Sequence, residues 1–324
     1  MKNNIPISWL LSRPEPWVRY RTRIDLLNIP KNDPQVIADR AALISHPAVK
    51  NLIARASEWP NYPLKRHNDA NHPLHTLGVL ADFGLTLEDP GISQLVEKVT
   101  AHRSPQGILQ TLLHVSPQYG GSEEPKWSWM LCDLPLVLHA LLAFGLNDQS
   151  LLEINRTHLL SLAREIGWPC ACDPAWQGFR GPGRKDDPCP YATLNCLSVF
   201  SLLPETHARP EVQAGVEMLL NHWGLRKERK YYLFGMGTDF SKLKYPLIWY
   251  DLLHVLNVLS RFQFARTDPR LYEMANLLSS QQDADGLFTP TSVWMAWKGW
   301  DFAQKKAPSA WLTFSAHRVL KTFS

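Results

Sequence analysis

The sequence predicts an all-α fold, an (α/α)6 toroid of alternating inner and outer helices forming one domain over residues 1–324. Three observations predict it. A helix-start signal returns about every sixty residues. Strongly apolar stretches alternate with amphipathic ones. No run of residues alternates with the period of a strand.

The start signal is an Asp-Pro pair or a variant: Asp33-Pro34, Asp89-Pro90, Asp148-Gln149, Arg209-Pro210 and Asp268-Pro269, with steps of 56, 59, 61 and 59 residues. An aspartate at the cap takes up orphan amides, and proline at the first helical position has no amide to lose. The first apolar helix is expected at 16–29, followed by an amphipathic one at 34–58. Next come "HPLHTLGVLADFGL" (72–85) and an amphipathic helix near 90–103. "DLPLVLHALLAFGL" (133–146) and the helix at 150–166 form the third pair. "YATLNCLSVFSLL" (191–203) and 210–223 form the fourth, and "DLLHVLNVLSRFQF" (251–264) and 269–281 the fifth. "WLTFSAHRVLKTF" (311–323) is the sixth apolar member. "KWSWMLCD" (126–133) also overlays "KYPLIWYD" (244–251) at a shift of 118, two repeat lengths. Apolar helices must bury all their sides, and amphipathic ones can shield them. Six inner helices then enclose a central cavity, with their loops at two rims.

Composition narrows the class. A hydrophobic content of 45% and a charged content of 20% are ordinary for a globular protein. A net charge of +4 with scattered basic residues gives no footprint for nucleic acid. The short basic run at 226–230 reads as a solvated loop. No apolar run is long enough to cross a membrane, and the first residues lack a signal-peptide pattern. Five cysteines without a secretory signal point to reduced thiols and a cytoplasmic protein.

"QQDADGLF" (281–288) resembles the Gln-x-x-x-Gly-x-Trp/Phe turn of squalene–hopene cyclases, other class II terpene cyclases and protein prenyltransferase β subunits. "VRYRTRIDLLNIPKNDPQV" and "GFRGPGRKDDPCPYA" resemble bacterial prenyltransferase or squalene-oxidase repeat proteins. The resemblance implies a toroid that binds an apolar or isoprenoid-like molecule, with cyclase- or isomerase-type acid/base chemistry. The chain departs from the family's chemistry. It has no Asp-x-Asp-Asp acid motif and no Asp-Asp-x-x-Asp magnesium motif. Cys132-Asp133 lacks the spacing of the prenyltransferase zinc ligands, and Trp311 stands where that family's histidine is sought.

The residues around the inner-helix starts make the candidate pocket: Arg19, Tyr20, His72, His75, Trp129, Cys132, Cys189, Tyr191, Tyr250 and Trp311. Helix N-termini attract anions, and aromatic walls with a few polar groups suit a small molecule. Asp133 and Asp251, equivalent in two repeats, are the candidate acid/base pair, since a partly apolar cavity raises a carboxyl pKa. The alternative is that each carboxylate caps its own helix. Cys170, Cys172, Cys189 and Cys196 are spaced poorly for zinc. A mixed set of Cys132, Asp133, Cys189 and a histidine is the alternative donor group; no metal or cofactor is expected. The loop carrying Arg184 and Lys185 is an anion-binding edge or a charge-paired turn, and it is not a nucleotide fingerprint. An isoprenoid diphosphate fits the first reading of that edge. The second functional expectation is a non-catalytic toroid that binds a protein or peptide.

Overall fold

Prolines and short polar side chains fix where the helices begin. A computed structural model describes residues 5–181, 187–228 and 232–323. Its helices are α1 (Ile7–Leu11), α2 (Pro16–Arg21, prolonged by a π-helical turn over Thr22–Leu26), α3 (Pro34–Ser45), α4 (Pro47–Ala56), α5 (Pro73–Phe83) and α6 (Ile92–Thr100). Two three-residue strands follow, β1 (Thr111–Leu113) and β2 (Lys126–Ser128), paired antiparallel with Leu112 opposite Trp127. Then come α7 (Leu134–Ala143), α8 (Gln149–Ser161), α9 (Pro190–Phe200) and α10 (Pro210–Gly224). The last three are α11 (Leu252–Leu259), α12 (Pro269–Ser279) and α13 (Ala310–Leu320). The fold is mostly helical. None of the described helices is long and apolar enough to cross a membrane.

The apolar helices pack on one another in series. α2 touches α5, α5 touches α7, α7 touches α9, α9 touches α11, and α11 touches α13. α13 returns to α2, and Lys321 Nζ there donates to the carbonyls of Asp25 and Leu26 at 3.0 Å. Every residue of α9 is buried, whereas α3 buries only Val36, Asp39 and Leu43. The amphipathic helices flank them: α3 on α2, α4 on α5, α8 on α7, α10 on α9 and α12 on α11. An aromatic seam of Trp17 stacked on Phe83 at 5.0 Å, with Trp311 edge-on to Phe83 at 4.8 Å, joins α2, α5 and α13.

Two expected elements differ, and one element was not expected. The helix expected over 34–58 is two helices, because Pro47 forces His46 into an extended conformation (ψ 129°). His46 Nδ1 then caps α4 by accepting from Ala48 N at 3.2 Å. The Asp89-Pro90 pair does not start a helix; α6 begins after Gly91, whose φ of 86° suits a residue without a side chain. Asp89 instead receives both bonds from Arg40 Nη2, each 2.9 Å. The β1–β2 hairpin went unseen because three-residue strands show no periodicity. Asp33, Asp148 and Asp268 do cap their helices through amides two or three residues on. Arg226, expected in a solvated loop, pairs with Glu273 at 2.6 Å and stacks on Trp223.

The long connection between α8 and α9 is held by its neighbours. Met130 bridges Cys172 and Pro169 bridges Pro188, both antiparallel. Arg180 N donates to Tyr119 O at 2.7 Å. Gly120 sits so close that an added Cβ would fall 1.5 Å from Gly178 O. Arg184 and Lys185, the expected anion-binding edge, lie outside the described residues.

Gly215 gives a packing test. A Cβ there would meet the fully buried Trp168 ring at 2.6 Å, and Trp168 Nε1 is tied to Leu159 O at 2.7 Å. Helix propensity favours Ala over Gly by about 1 kcal/mol, while overpacking costs roughly 1–3 kcal/mol. Gly215→Ala is therefore expected to lower the urea midpoint; a raised midpoint would show that the ring can move aside.

Candidate functional site

Polar residues recur on the inner helices at fixed places counted from each N-cap. Third, sixth and tenth after His72 stand His75, Gly78 and Asp82. After Asp133 these places hold Leu136, His139 and Ala143, and after Asp251 they hold His254, Asn257 and Arg261. Such spacing puts the three on one helix face. Those faces line the space between α5, α7, α9 and α11, a narrow throat of about 60 Å³. A wider cavity of about 450 Å³ adjoins it, and Asp82, His139 and Arg261 line both. At this mouth lie Arg21, Lys31, Arg40, Arg261 and Arg318 with Asp82 and Glu88; Arg21 pairs with Asp25 at 2.8 Å, Arg40 with Asp89 at 2.9 Å, and Arg318 lies 3.8 Å from Asp25.

Burial sets the charge of the throat. Desolvation lowers His75, His139 and His254 to about 4, so all three are neutral at pH 7. His254 Nδ1 bonds Trp249 O at 2.9 Å, and His75 Nε2 bonds His67 O at 2.9 Å. Burial, aided by Arg318, pulls Arg261 down to about 10, which still leaves it charged. Among the described residues Arg261 has no carboxylate within ion-pair distance; one long bond of 3.5 Å runs to Ser201 Oγ. Asp82 accepts from Tyr245 Oη at 2.8 Å. Arg318 donates to Asn257 Oδ1 at 2.9 Å, and the buried Arg21 Nε has no partner.

Of the residues predicted from sequence, Tyr20 and His75 line these cavities. Arg19 is committed elsewhere, paired with Asp39 at 2.7 Å. His72 caps α5, accepting from Leu74 N at Nδ1 and donating to Tyr62 O from Nε2. Tyr191 Oη donates to Ile248 O at 2.8 Å. Tyr250 Oη bonds His222 Nδ1 at 3.0 Å. Trp129 lies edge-on to His158, and Trp311 belongs to the aromatic seam. Neither Asp133 nor Asp251 lines the throat or its mouth, and both are fully buried. Asp251 caps α11 through His254 N at 3.0 Å, and burial pushes its carboxyl up to about 7 against the pull of Lys244. The throat residues Asp82, His139, His254 and Arg261 were missed, although single polar residues in otherwise apolar helices marked them.

Asp133 does something its repeat partner does not. It leaves α7 uncapped, and its Oδ1 accepts from His67 Nδ1 at 2.9 Å. His67, missed because it is distant in sequence, joins Asp133 to a group of thiols. The Cys132 thiol interacts with both Cys170 and Cys189. Cys189 caps α9, its Sγ accepting from Ala192 N at 3.4 Å. The Cys132 S–H holds the Cys189 thiol below the ordinary range against its burial, with help from the first amides of α9 and from His67. The same contacts and burial push Cys132 up. Among the described residues no group of three or more His, Cys, Asp or Glu side chains is arranged to hold a metal ion. His67 and Cys170 open onto a separate cavity of about 690 Å³, and 33% of the His67 side chain is accessible there.

Burial pulls His67 down, but the Asp133 charge and hydrogen bond outweigh it and raise the imidazole from 6.5 to about 9. A raised folded-state pKa means the pair's stabilisation is complete below pH 6.5 and fades as pH rises through about 9. In urea unfolding, the stability difference between wild type and Asp133→Asn should be largest below pH 6.5 and shrink towards pH 10. A difference independent of pH would remove the charged pair from the account.

No family model matches this sequence, and no curated protein matches it. Among solved structures, one of a protein from Actinoplanes aligns with 14% identity over 95% of this chain and 90% of that one, at a TM-score of 0.42.

Proposed function

We propose that the chain is a closed (α/α)6 toroid whose central funnel binds a small anionic molecule. The serial contacts of the six apolar helices, with α13 back on α2, support the closed ring. Arg261 carries the ligand reading: a half-buried guanidinium with no carboxylate within ion-pair distance among the described residues, Asp82 acting on it only from further off, at the junction of throat and mouth. A partly desolvated cation without a paired carboxylate is costly, and an anion offsets that cost. Arg21, whose Nε has no partner although its Nη2 pairs with Asp25, adds a donor at the same mouth, whose 450 Å³ is in the range of small-molecule sites.

The chemistry favours a phosphate or diphosphate head, which a set of guanidinium forks recognises. An isoprenoid diphosphate meets that requirement at its head. Only a short apolar end would enter the 60 Å³ throat, where Leu74, Val79 and Leu136 form the apolar wall. His139, neutral and beside Arg261, is the base within reach of such a ligand. On this reading the resemblance to terpene cyclases and prenyltransferase repeat proteins is one of fold, and acid/base work falls to Asp82 and His139 in place of Asp133 and Asp251. The narrowness of the throat favours a second reading, a non-catalytic ring that takes a peptide at its mouth.

Inorganic diphosphate is the direct probe. It is expected to raise the melting temperature of the wild-type chain. In calorimetry Arg261→Gln should bind it at least tenfold more weakly, about 1.4 kcal/mol. Removing a half-buried charge that has no paired carboxylate should not lower the variant's own stability. Absence of binding, or equal binding by the variant, would overturn the anionic-ligand reading.

A further inference from the structure

We propose that Cys170 and Cys132 form a redox-active dithiol that reduces an anionic low-molecular-weight disulfide bound in the cavity beside His67. This site is separate from the central funnel and does not depend on it. Four observations support it.

The first is access. Cys170 is half-buried and lines the 690 Å³ cavity, together with His67, Met130, Phe179 and Trp249. Cys132 and Cys189 lie behind it and are buried. An accessible thiol backed by a sheltered one is the arrangement that attack followed by resolution requires.

The second is reach. Met130 and Cys172 are antiparallel bridge partners, and Leu131 N donates to Ala171 O at 3.0 Å. Cys132 follows Leu131 as the chain turns into α7, and Cys170 precedes Ala171, so the two cysteines sit at the same end of that bond. Cys170 and Cys189 are the neighbours that act most strongly on the Cys132 thiol, which agrees with that placement.

The third is a cation beside the thiol. His67, held by Asp133 at 2.9 Å, lines the same cavity as Cys170. A positive imidazolium there stabilises the negative charge that passes between sulfurs during exchange. The fourth is the charge of the entrance. Lys65, Arg66 and Arg180 line the same cavity, so an anionic disulfide is drawn in over a neutral one.

The reaction balances without another reagent. The Cys170 thiolate attacks one sulfur of the disulfide RSSR, forms a mixed disulfide and expels RS⁻. Cys132 then gives up its proton and attacks the Cys170 sulfur, expelling the second RS⁻. Two thiols of the protein become one disulfide, and RSSR becomes two RSH. Cys172, two residues from Cys170, serves as the internal control: it is half-buried too, but burial pushes its thiol up to about 12.

The test uses the full chain, reduced and freed of reductant, with oxidised glutathione as the anionic probe and 2-hydroxyethyl disulfide as the neutral one. Non-reducing peptide mapping is expected to find a Cys132–Cys170 linkage. It should form several-fold faster with oxidised glutathione at low salt, and this preference should fade at high salt. Cys170→Ser should slow release of glutathione thiol at least tenfold, and Cys172→Ser should leave it unchanged. Cys170→Ala, with the fold checked by circular dichroism, separates lost chemistry from lost structure. Unreactive thiols, labelling of Cys172 in place of Cys170, or a metal ion that copurifies and is released by thiol reagents would each overturn the proposal.

Discussion

The N-terminal ends of the apolar helices are buried, and their first amides must find partners without water. Much of the chemistry described above follows from how each helix meets that demand. α5 uses the His72 ring, α9 the Cys189 sulfur, α11 the Asp251 carboxylate and α13 the Ser309 hydroxyl. Capping thereby fixes four polar side chains at buried positions. α2 and α7 have no side-chain cap. The second residue of α7 is Pro135, which has one amide fewer to satisfy, and Asp133 turns to His67 instead. An uncapped helix thus leaves a buried carboxylate free to hold a cation.

The same burial separates two electrostatic regimes. In the throat, desolvation keeps three histidines neutral and leaves Arg261 as the charged group between them. Near Cys170, the Asp133 carboxylate outweighs desolvation and keeps His67 charged. Histidines in one small protein thus differ in charge because one is hydrogen-bonded to a carboxylate and the others, among the described residues, are bonded to none.

The helical architecture was legible in sequence because caps and apolar period are local signals. Asp33, Asp148 and Asp268 cap as their sequence context indicates. Asp89 shows the limit of that reading: Arg40, distant in sequence, captures its carboxylate. The candidate sites were half legible. Cys132, Asp133 and Cys189 stood out at helix starts, but His67 and Cys170 reach them from other segments, and no spacing rule links the five. Asp133 and Asp251 are equivalent by repeat and differ by neighbour, a distinction the repeat itself cannot carry. His139 and Arg261 were hidden for another reason. A single polar residue in an apolar helix reads as tolerated noise until several helices aim theirs at one space.

The contact between α13 and α2 has a kinetic meaning. Lys321 and Asp25 are separated by 296 residues, whereas neighbouring repeats meet after about sixty. Loop-closure entropy grows only with the logarithm of length, so closing the long loop costs about 1.4 kcal/mol more than closing a neighbouring one. That is about the worth of one good hydrogen bond. The two ends of the chain therefore meet about tenfold less readily than adjacent repeats do, a handicap that one contact such as that of Lys321 can offset, so ring closure is delayed by the length of the chain but not prevented by it.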